Sequence, residues 1–261
     1  MNQQHAALHR AAHAAVDAGA AWLAGEGAGD RWTRVRFKPS GEEVTAADVE
    51  VERRITEVLA DRTPGIPVIG EETAETAEGS LPARCWLLDP IDGTMNFTRG
   101  APGYALSLAY MEEGSPLLGV LHAPALGRRW STAAAAASTT TRLSNGAQAL
   151  SRAVVGLTGT GRGNPKAARL IGHLYDEAYR IRMQGAMSLD LVGVAEGWLD
   201  ACVCLGPKPW DVAAGTALVR ERGGAVLGAA GRVFTPDSPL LVAGAPRLAR
   251  DLIAVWESVV V

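Results

Sequence analysis

The residues best suited to chemistry lie in the segment Asp89-Pro90-Ile91-Asp92-Gly93-Thr94. Two aspartates flank a rigid proline, and the glycine beside them lets an anion approach backbone N–H groups at the start of a helical turn. Mg²⁺ takes a few carboxylate oxygens and keeps positions for water and phosphate. The segment can therefore serve both a hard cation and a phosphate group. Asp-Pro and Asp-Gly are also common turn dipeptides, so a plain turn is the alternative.

A second pair of carboxylates follows another apolar run. Glu71-Glu72 comes directly after residues 67–70, as Asp89 comes directly after residues 85–88, and both runs have the composition of strands. If these strands are neighbours, Glu71 lies beside Asp89, and the two carboxylates need a cation to offset their repulsion. Adjacent glutamates also occur in solvated loops, so this interpretation depends on the strand pairing.

Two more aspartates have both a structural and a chemical interpretation. Asp48 comes three residues after Thr45, where it can complete a capping box at the start of a helix. Asp211 follows Trp210 at the start of another predicted helix, where it can be the N-cap. Each feature has a structural explanation on its own, and their joint occurrence is what points to a catalytic site.

The elements that must position these residues indicate a mixed α and β chain. Helical periodicity predicts helices over 3–24, 165–178, 187–196, 211–222 and 246–258, with a further helix opening at Thr45. Apolar runs predict strands over 33–37, 67–70, 85–88, 154–157, 179–182 and 198–204. Three further runs, 104–111, 117–123 and 128–134, are separated by Gly and Pro turns and predict an antiparallel meander.

The composition excludes several classes of protein. The 261 residues carry 25 basic and 28 acidic side chains, and the net charge of −3 gives no overall field toward nucleic acid or an anionic membrane. Charged residues interrupt the alanine-rich stretch 6–24, which leaves neither a signal peptide nor a membrane span. Cys85, Cys202 and Cys204 lack the spacing of a zinc site, so we expect buried free thiols and a cytoplasmic location.

Four segments, in this order and spacing, resemble the inositol monophosphatase-like phosphatases. They are Val44-Thr45-Ala46-Ala47-Asp48, Gly70-Glu71-Glu72, Trp86-Leu87-Leu88-Asp89-Pro90-Ile91-Asp92-Gly93-Thr94-Met95-Asn96-Phe97 and Trp210-Asp211-Val212-Ala213-Ala214-Gly215. The resemblance implies a layered α-β-α-β-α sandwich of the sugar-phosphatase type, a homodimer, dependence on Mg²⁺ and inhibition by lithium. We expect one compact unit in which an N-terminal α+β half, 1–150, carries most metal ligands and a C-terminal α/β half, 151–261, carries Asp211 and the alcohol pocket.

The resemblance also implies a role for each matching residue. The groups expected to bind Mg²⁺ are the side chains of Glu71, Asp89, Asp92 and Asp211 and the carbonyl oxygen of Ile91. Two or three ions are expected, with Mn²⁺ able to substitute. The backbone amides of Gly93 and Thr94 would receive the phosphate. Thr94, helped by Asp48 and Glu71, would orient and deprotonate the attacking water, so the implied reaction is hydrolysis of a small phosphate monoester by metal-activated water.

The residues expected around the alcohol depart from the family's inositol pattern. Cys204 stands where inositol phosphatases carry a glutamate that meets a ring hydroxyl, and a thiol is a poor acceptor for that contact. In Gly185-Ala186-Met187, the bulkier Met187 stands where the family's substrate passes. We therefore expect a cyclitol, sugar or similar alcohol phosphate, and the preferred substrate need not be an inositol phosphate. Histidinol phosphate or a nucleoside (3′-)phosphate, in a specialised biosynthetic pathway, is the alternative.

Two other classes of function stay open at this point. The same fold can serve a non-catalytic regulatory protein. A segment with Arg31, Arg34, Arg36 and Lys38 suggests an RNA-associated role, but alternating basic side chains on one strand face could instead steer an anionic substrate toward the metals. We expect a small phosphorylated metabolite as the partner, with no membrane and no nucleic acid.

Overall fold

The computed structural model describes residues 3–25, 35–39, 41–74, 81–133, 143, 147, 149–159, 165–235 and 238–259. The chain forms two compact units, Met1–Ser138 and Thr139–Val261. Each unit has its own five-stranded sheet and its own hydrophobic core.

The N-terminal unit packs two long helices against a sheet. Its elements are α1 (Gln3–Ala24), β1 (Arg36–Phe37), β2 (Glu43–Val44), α2 (Ala46–Arg62), β3 (Val68–Gly70), α3 (Glu71–Ala74), β4 (Arg84–Asp92), α4 (Thr94–Thr98), β5 (Ala105–Glu112), β6 (Ser115–Ala123) and β7 (Arg128–Ser131). The sheet order is β3-β4-β5-β6-β7, and β1 pairs with β2 separately. β3 runs parallel to β4, and the other neighbours are antiparallel, so the predicted meander is confirmed.

One face of this sheet supplies the core of the N-terminal unit. Leu106, Leu108 and Tyr110 recur along β5 with the period of two that places side chains on one face. They belong to the same buried cluster as Val51 and Ile55 of α2 and the alanine-rich side of α1. The packing therefore fixes α2 over the strands whose ends carry the predicted site residues.

The C-terminal unit has helices on both sides of its sheet. Its elements are β8 (Val154–Thr158), α5 (Pro165–Glu177), β9 (Arg180–Arg182), α6 (Met187–Glu196), β10 (Ala201–Leu205), α7 (Pro209–Glu221), β11 (Ala225–Leu227), β12 (Leu240–Gly244) and α8 (Pro246–Ser258). The sheet order is β11-β12-β10-β8-β9. β8 is parallel to β9 and β10, and β12 is antiparallel to β10 and β11. The core on one face includes α5 and α8, and α6 and α7 pack on the other.

The predicted fold class, a mixture of helices and sheets, is confirmed by these elements. The strand predictions were incomplete. β4 does not end at Leu88 but continues through Asp89 to Asp92. β11 and β12 were not predicted, because the first has only three residues and the second is a five-residue apolar run that periodicity cannot assign.

Two further expectations concern the cysteines and the helices. Cys85, Cys202 and Cys204 are buried, as predicted, and no disulfide joins these three described residues. Across the described ranges, each helix is too short or too polar to cross a membrane.

Candidate active site

The pairing of β3 with β4 brings two predicted ligands together. The parallel register matches Gly70 with Leu88, so Glu71 and Asp89, the residues that follow this pair along the chain, come to the same edge of the sheet. Carboxylate oxygens of Glu71 and Asp89 lie within 4.8 Å of one another. The expectation that the two apolar runs are neighbouring strands is confirmed.

A bulge in β4 determines where its two aspartates point. Asp89 pairs with Ser107 and Asp92 with Ala105, so three residues of β4 span the distance that two residues of β5 span. In a regular strand, positions three apart face opposite sides, and the extra residue restores both aspartates to one side. Pro90 is suited to this stretch because a bulge leaves a residue without a ladder hydrogen bond. Asp89 is 2% exposed and Asp92 is 8% exposed.

The turn after β4 has the backbone expected of an anion site. The N–H of Ile91 donates to Asp89 Oδ1 at 3.0 Å, which holds the carboxylate against its own turn. Gly93 has φ 90° and ψ 37°, a left-handed conformation in which a side chain is strained, and it is the N-cap of α4. The first N–H groups of a helix have no intrahelical partner. The backbone amides that follow Asp92 are therefore of the kind that can donate hydrogen bonds to phosphate oxygens.

Asp48 completes the capping box of α2 and also contacts Thr94. Its Oδ2 accepts hydrogen bonds from the N–H of Thr45 at 2.7 Å and from the Thr45 hydroxyl at 2.6 Å, which completes the capping box of α2. Its Oδ1 lies 3.1 Å from the hydroxyl of Thr94, which is also 3.0 Å from the carbonyl oxygen of Ile91. Burial raises the pKa of Asp48 to about 6, against the effect of these hydrogen bonds.

Lys38 is part of the site and not of a basic surface. Its Nζ donates to Glu71 Oε1 at 2.8 Å and to Glu72 Oε1 at 2.9 Å, and the side chain is buried. Burial lowers the pKa of Lys38, but the two carboxylates outweigh that effect and raise it, so the ammonium stays charged. Arg34, Arg36 and Lys38 were predicted to line one strand face, but β1 ends at Phe37 and Lys38 is buried against the two glutamates. Arg31 and Arg34 lie outside the described residues.

The donor set suits a hard divalent cation. Glu71 and Asp89 offer neighbouring carboxylate oxygens, and Asp92 faces the same side of the sheet as Asp89. Buried like charges are costly unless a cation offsets them, and Lys38 supplies a single positive charge. Oxygen-only donors favour Mg²⁺ or Mn²⁺ over metals that prefer thiolate or imidazole.

Asp211 lies in the C-terminal unit, near the start of α7. The cap position is Lys208, so the interpretation of Asp211 as the N-cap is wrong. Asp211 is the third residue of the helix, and its Oδ2 accepts the N–H of Lys208 at 2.8 Å. This contact fixes the side chain at the helix N-terminus, where a negative charge is stabilised.

The predicted alcohol-binding residues also lie in the C-terminal unit. Gly185 has φ 80°, Ala186 is the cap residue of α6, and Met187 is its first residue. Cys204 lies on β10 opposite Thr158 of β8. The side chains of Ala186, Met187 and Cys204 are all buried.

A buried polar network beside these residues was not predicted. The hydroxyl of Thr158 donates to Asp190 Oδ2 at 2.6 Å, and Gln184 Nε2 donates to Asp190 Oδ1 at 2.7 Å. Asp190 connects the end of β8 with the residue that precedes Gly185. One sequence signal could have found it, because Asp190 stands within the otherwise apolar run 189–195, where a carboxylate is rarely buried without a partner.

Comparison with known proteins agrees with this geometry. The model of the inositol monophosphatase family matches residues 7–260. The probable inositol 1-monophosphatase of Mycobacterium tuberculosis is 34% identical over 235 residues, which are 85% of this chain and 84% of that protein. The histidinol-phosphatase of the same organism is 37% identical over 215 residues, 75% of this chain and 81% of that protein.

A solved structure shows the same fold. The extragenic suppressor protein suhB from Bartonella henselae has a TM-score of 0.85 and 25% sequence identity, covering 97% of this chain and all of that one. The family implies metal-dependent catalysis and argues against the non-catalytic alternative. The chain therefore belongs to the inositol monophosphatase family and is a phosphoric monoester hydrolase.

Proposed function

We propose that the chain hydrolyses a small alcohol phosphate with Mg²⁺ as cofactor and water as the nucleophile. The observation that carries this proposal is the pair of Glu71 and Asp89 at one sheet edge, together with the contact between Thr94 and Asp48. The first pair provides cation ligands, and the second provides a hydroxyl beside a carboxylate. A phosphatase that uses water as the nucleophile needs both.

The proposed ligands are the side chains of Glu71, Asp89, Asp92 and Asp211 and the carbonyl oxygen of Ile91. They would hold two or three Mg²⁺ ions, and Mn²⁺ would substitute because it prefers the same oxygen donors. When bound, the metal supplies charge neutralisation of the phosphoryl oxygens and makes a coordinated water more acidic. Lithium inhibition, which the family resemblance implies, belongs to the same proposal.

The remaining groups of the chain would position the reactants. The amides of Gly93 and Thr94 donate to phosphate oxygens and hold the phosphorus in place. The Thr94 hydroxyl donates to Asp48, which leaves its oxygen to accept a proton from the attacking water. As the bond from water oxygen to phosphorus forms, the bond to the alcohol oxygen breaks, and the alkoxide that leaves takes up a proton from solvent. The water proton leaves through Thr94 toward Asp48, with Glu71 as a further acceptor.

The substrate is proposed from the alcohol side of the site. Cys204 and Met187 are buried on β10 and α6, and neither offers a strong acceptor to a polyol. A cyclitol or sugar phosphate other than inositol 1-phosphate is the first candidate. Histidinol phosphate is the second, because a relative with 37% identity is named a histidinol-phosphatase. Nucleoside phosphates complete the set to be assayed.

A substrate panel and two ligand variants test this proposal. Phosphate release from each ester would be measured after EDTA treatment and again with added Mg²⁺. Asp92→Asn and Asp211→Asn should each lower kcat/KM by at least about 100-fold with an unchanged circular dichroism spectrum, because a lost ligand removes several kcal/mol of transition-state stabilisation. The exposed Asp61→Asn is the matched control. Full activity in either ligand variant would overturn the metal assignment, and a clear preference for inositol 1-phosphate would overturn the interpretation of Cys204 and Met187.

The cytoplasmic location and the homodimer remain part of the proposal. The three buried free thiols support a reducing compartment. Light scattering coupled to size-exclusion chromatography tests the dimer, and a monomeric mass across the working concentration range would exclude it.

A further inference from the structure

A close contact between α2 and the end of β3 explains why position 70 is glycine. A Cβ atom on Gly70 would lie 2.3 Å from the carboxyl carbon of Glu52 and 2.4 and 2.6 Å from its two oxygens. Gly70 is not among the glycines with positive φ, so the residue is needed for space and not for backbone conformation. Glu52 is 3% exposed and rests directly on the backbone that precedes Glu71.

Glu52 also holds the first turn of α3 by hydrogen bonds. Its Oε2 accepts the N–H of Glu72 at 2.9 Å, and the backbone and side chain of Thr73 add further hydrogen bonds. The first N–H groups of a helix need acceptors from outside that helix. α3 has only four residues and begins at Glu71, so an acceptor on a longer helix fixes a segment that its own hydrogen bonds could not hold.

The same face of α2 reaches the turn after β4, which carries Thr94. Asp48 and Glu52 are four residues apart and both are buried, so they lie on one side of the helix, one turn from each other. Asp48 contacts Thr94, and Glu52 contacts the backbone around Glu71. α2 therefore connects the predicted proton acceptor with the segment that presents a predicted cation ligand.

We propose that Glu52 is a positioning residue for the metal site. Its carboxylate sets the path of the backbone from Gly70 to Thr73 and thereby the direction in which Glu71 presents its oxygens beside Asp89. The inference rests on the proposed role of Glu71 as a cation ligand. Glu52 contacts neither the metal nor the substrate in this proposal and acts through Glu71.

Mg²⁺ binding measured by isothermal titration calorimetry tests the proposal without relying on turnover. Glu52→Ala removes the acceptor, and Gly70→Ala displaces it from the other side, so each should weaken Mg²⁺ binding by about tenfold or more, as loss of a residue that orients a ligand does. Glu52→Gln keeps an oxygen that accepts the N–H of Glu72 and should bind Mg²⁺ within about threefold of the wild type. Glu52 and Glu57 both line a cavity of about 680 Å³, but only Glu52 approaches Gly70. Glu57→Ala is therefore the matched control.

The pattern of losses separates positioning from other roles. Glu52→Ala and Gly70→Ala disrupt the same contact, that between the Glu52 carboxylate and the backbone at Gly70. The double variant should therefore bind Mg²⁺ no more weakly than whichever single variant binds it more weakly. Additive losses of Mg²⁺ affinity would overturn the proposal. Equal losses in Glu52→Gln and Glu52→Ala would show that only the charge matters and would overturn it as well. A lower melting temperature with unchanged Mg²⁺ affinity in Glu52→Ala would assign Glu52 a purely structural role. If Glu52→Ala does not fold, Glu52→Gln and Gly70→Ala still decide the question.

A ligand variant keeps this test distinct from the test of function. Glu71→Gln should weaken Mg²⁺ binding whatever Glu52 does. Wild-type affinity in Glu71→Gln would overturn the ligand role on which the proposed function depends. Weak binding in Glu71→Gln with wild-type binding in Glu52→Ala would overturn the positioning role alone.

Discussion

Replacement of Asp190 by asparagine should change how the stability of the protein depends on pH. Asp190 is fully buried in α6, and its two oxygens accept hydrogen bonds from Thr158 and Gln184. Burial raises the pKa of Asp190 from 3.8 to about 6, although both hydrogen bonds act in the opposite direction. Asparagine has the same shape and no charge, and the amide of Gln184 can turn over to present its oxygen to the new amide.

The sign and size of the effect follow from linkage between folding and proton binding. The folded state binds this proton more tightly than the unfolded state, so the contribution of Asp190 to stability is full below pH 3.8 and is lost as the pH rises through 6. The complete change is about 3 kcal/mol, because each pH unit of difference is worth about 1.4 kcal/mol. Between pH 5 and pH 8, the wild type should lose about 1 kcal/mol of unfolding free energy relative to Asp190→Asn.

Urea unfolding at pH 5, 6, 7 and 8 measures this difference. The wild-type curve should approach or fall below that of Asp190→Asn as the pH rises, with most of the change below pH 7. The exposed Asp176→Asn should run parallel to the wild type at every pH. A constant difference between Asp190→Asn and the wild type from pH 5 to pH 8 would refute the reasoning, because it would mean that Asp190 has the same pKa in the folded and unfolded chains.

Two further predictions concern the candidate active site. Thr94→Val keeps the side-chain shape but removes the hydroxyl that contacts Asp48, so kcat should fall by about 10²- to 10⁴-fold with little change in KM. Steady-state kinetics beside Thr94→Ser, which should retain most of the activity, checks this, and a kcat of Thr94→Val near that of the wild type would contradict it. Asp89→Asn removes one of the like charges at the sheet edge, so in EDTA its melting temperature should equal or exceed that of the wild type. Mg²⁺ should stabilise only the wild type. Thermal melts with and without Mg²⁺ measure both effects, and equal stabilisation of the two proteins by Mg²⁺ would count against Asp89 as a ligand.

The placement of the main carboxylates could be predicted because it depends on short-range patterns. Two apolar runs end at Glu71 and near Asp89, and their parallel pairing brings the ends together. The capping box at Thr45 likewise follows from residue types three positions apart, and the structure has both of its hydrogen bonds.

Features that depend on partners far along the chain could not be predicted. The bulge that turns Asp89 and Asp92 to one side is defined by their pairing with β5, and a sequence does not reveal where an extra residue is inserted. Lys38 has the sequence context of a basic strand face, and only the approach of Glu71 and Glu72 makes it a buried ion pair. The role of Gly70 has the same origin, since the carboxylate that excludes a Cβ there belongs to Glu52 on α2.

The division of the chain into two cores suggests why one family can serve several alcohols. The turn with Asp89 and Thr94, and the helix that carries Asp48, belong to the N-terminal unit and share its core. The proposed alcohol-binding residues Met187 and Cys204 belong to the C-terminal unit, on α6 and β10. Met187 and Cys204 lie in a different unit from the turn with Asp89 and Thr94, so a substitution at these two positions can change the preferred alcohol while Asp48, Asp89 and Thr94 keep their places. Relatives named for inositol phosphate and for histidinol phosphate, at 34% and 37% identity, are what such independence would produce.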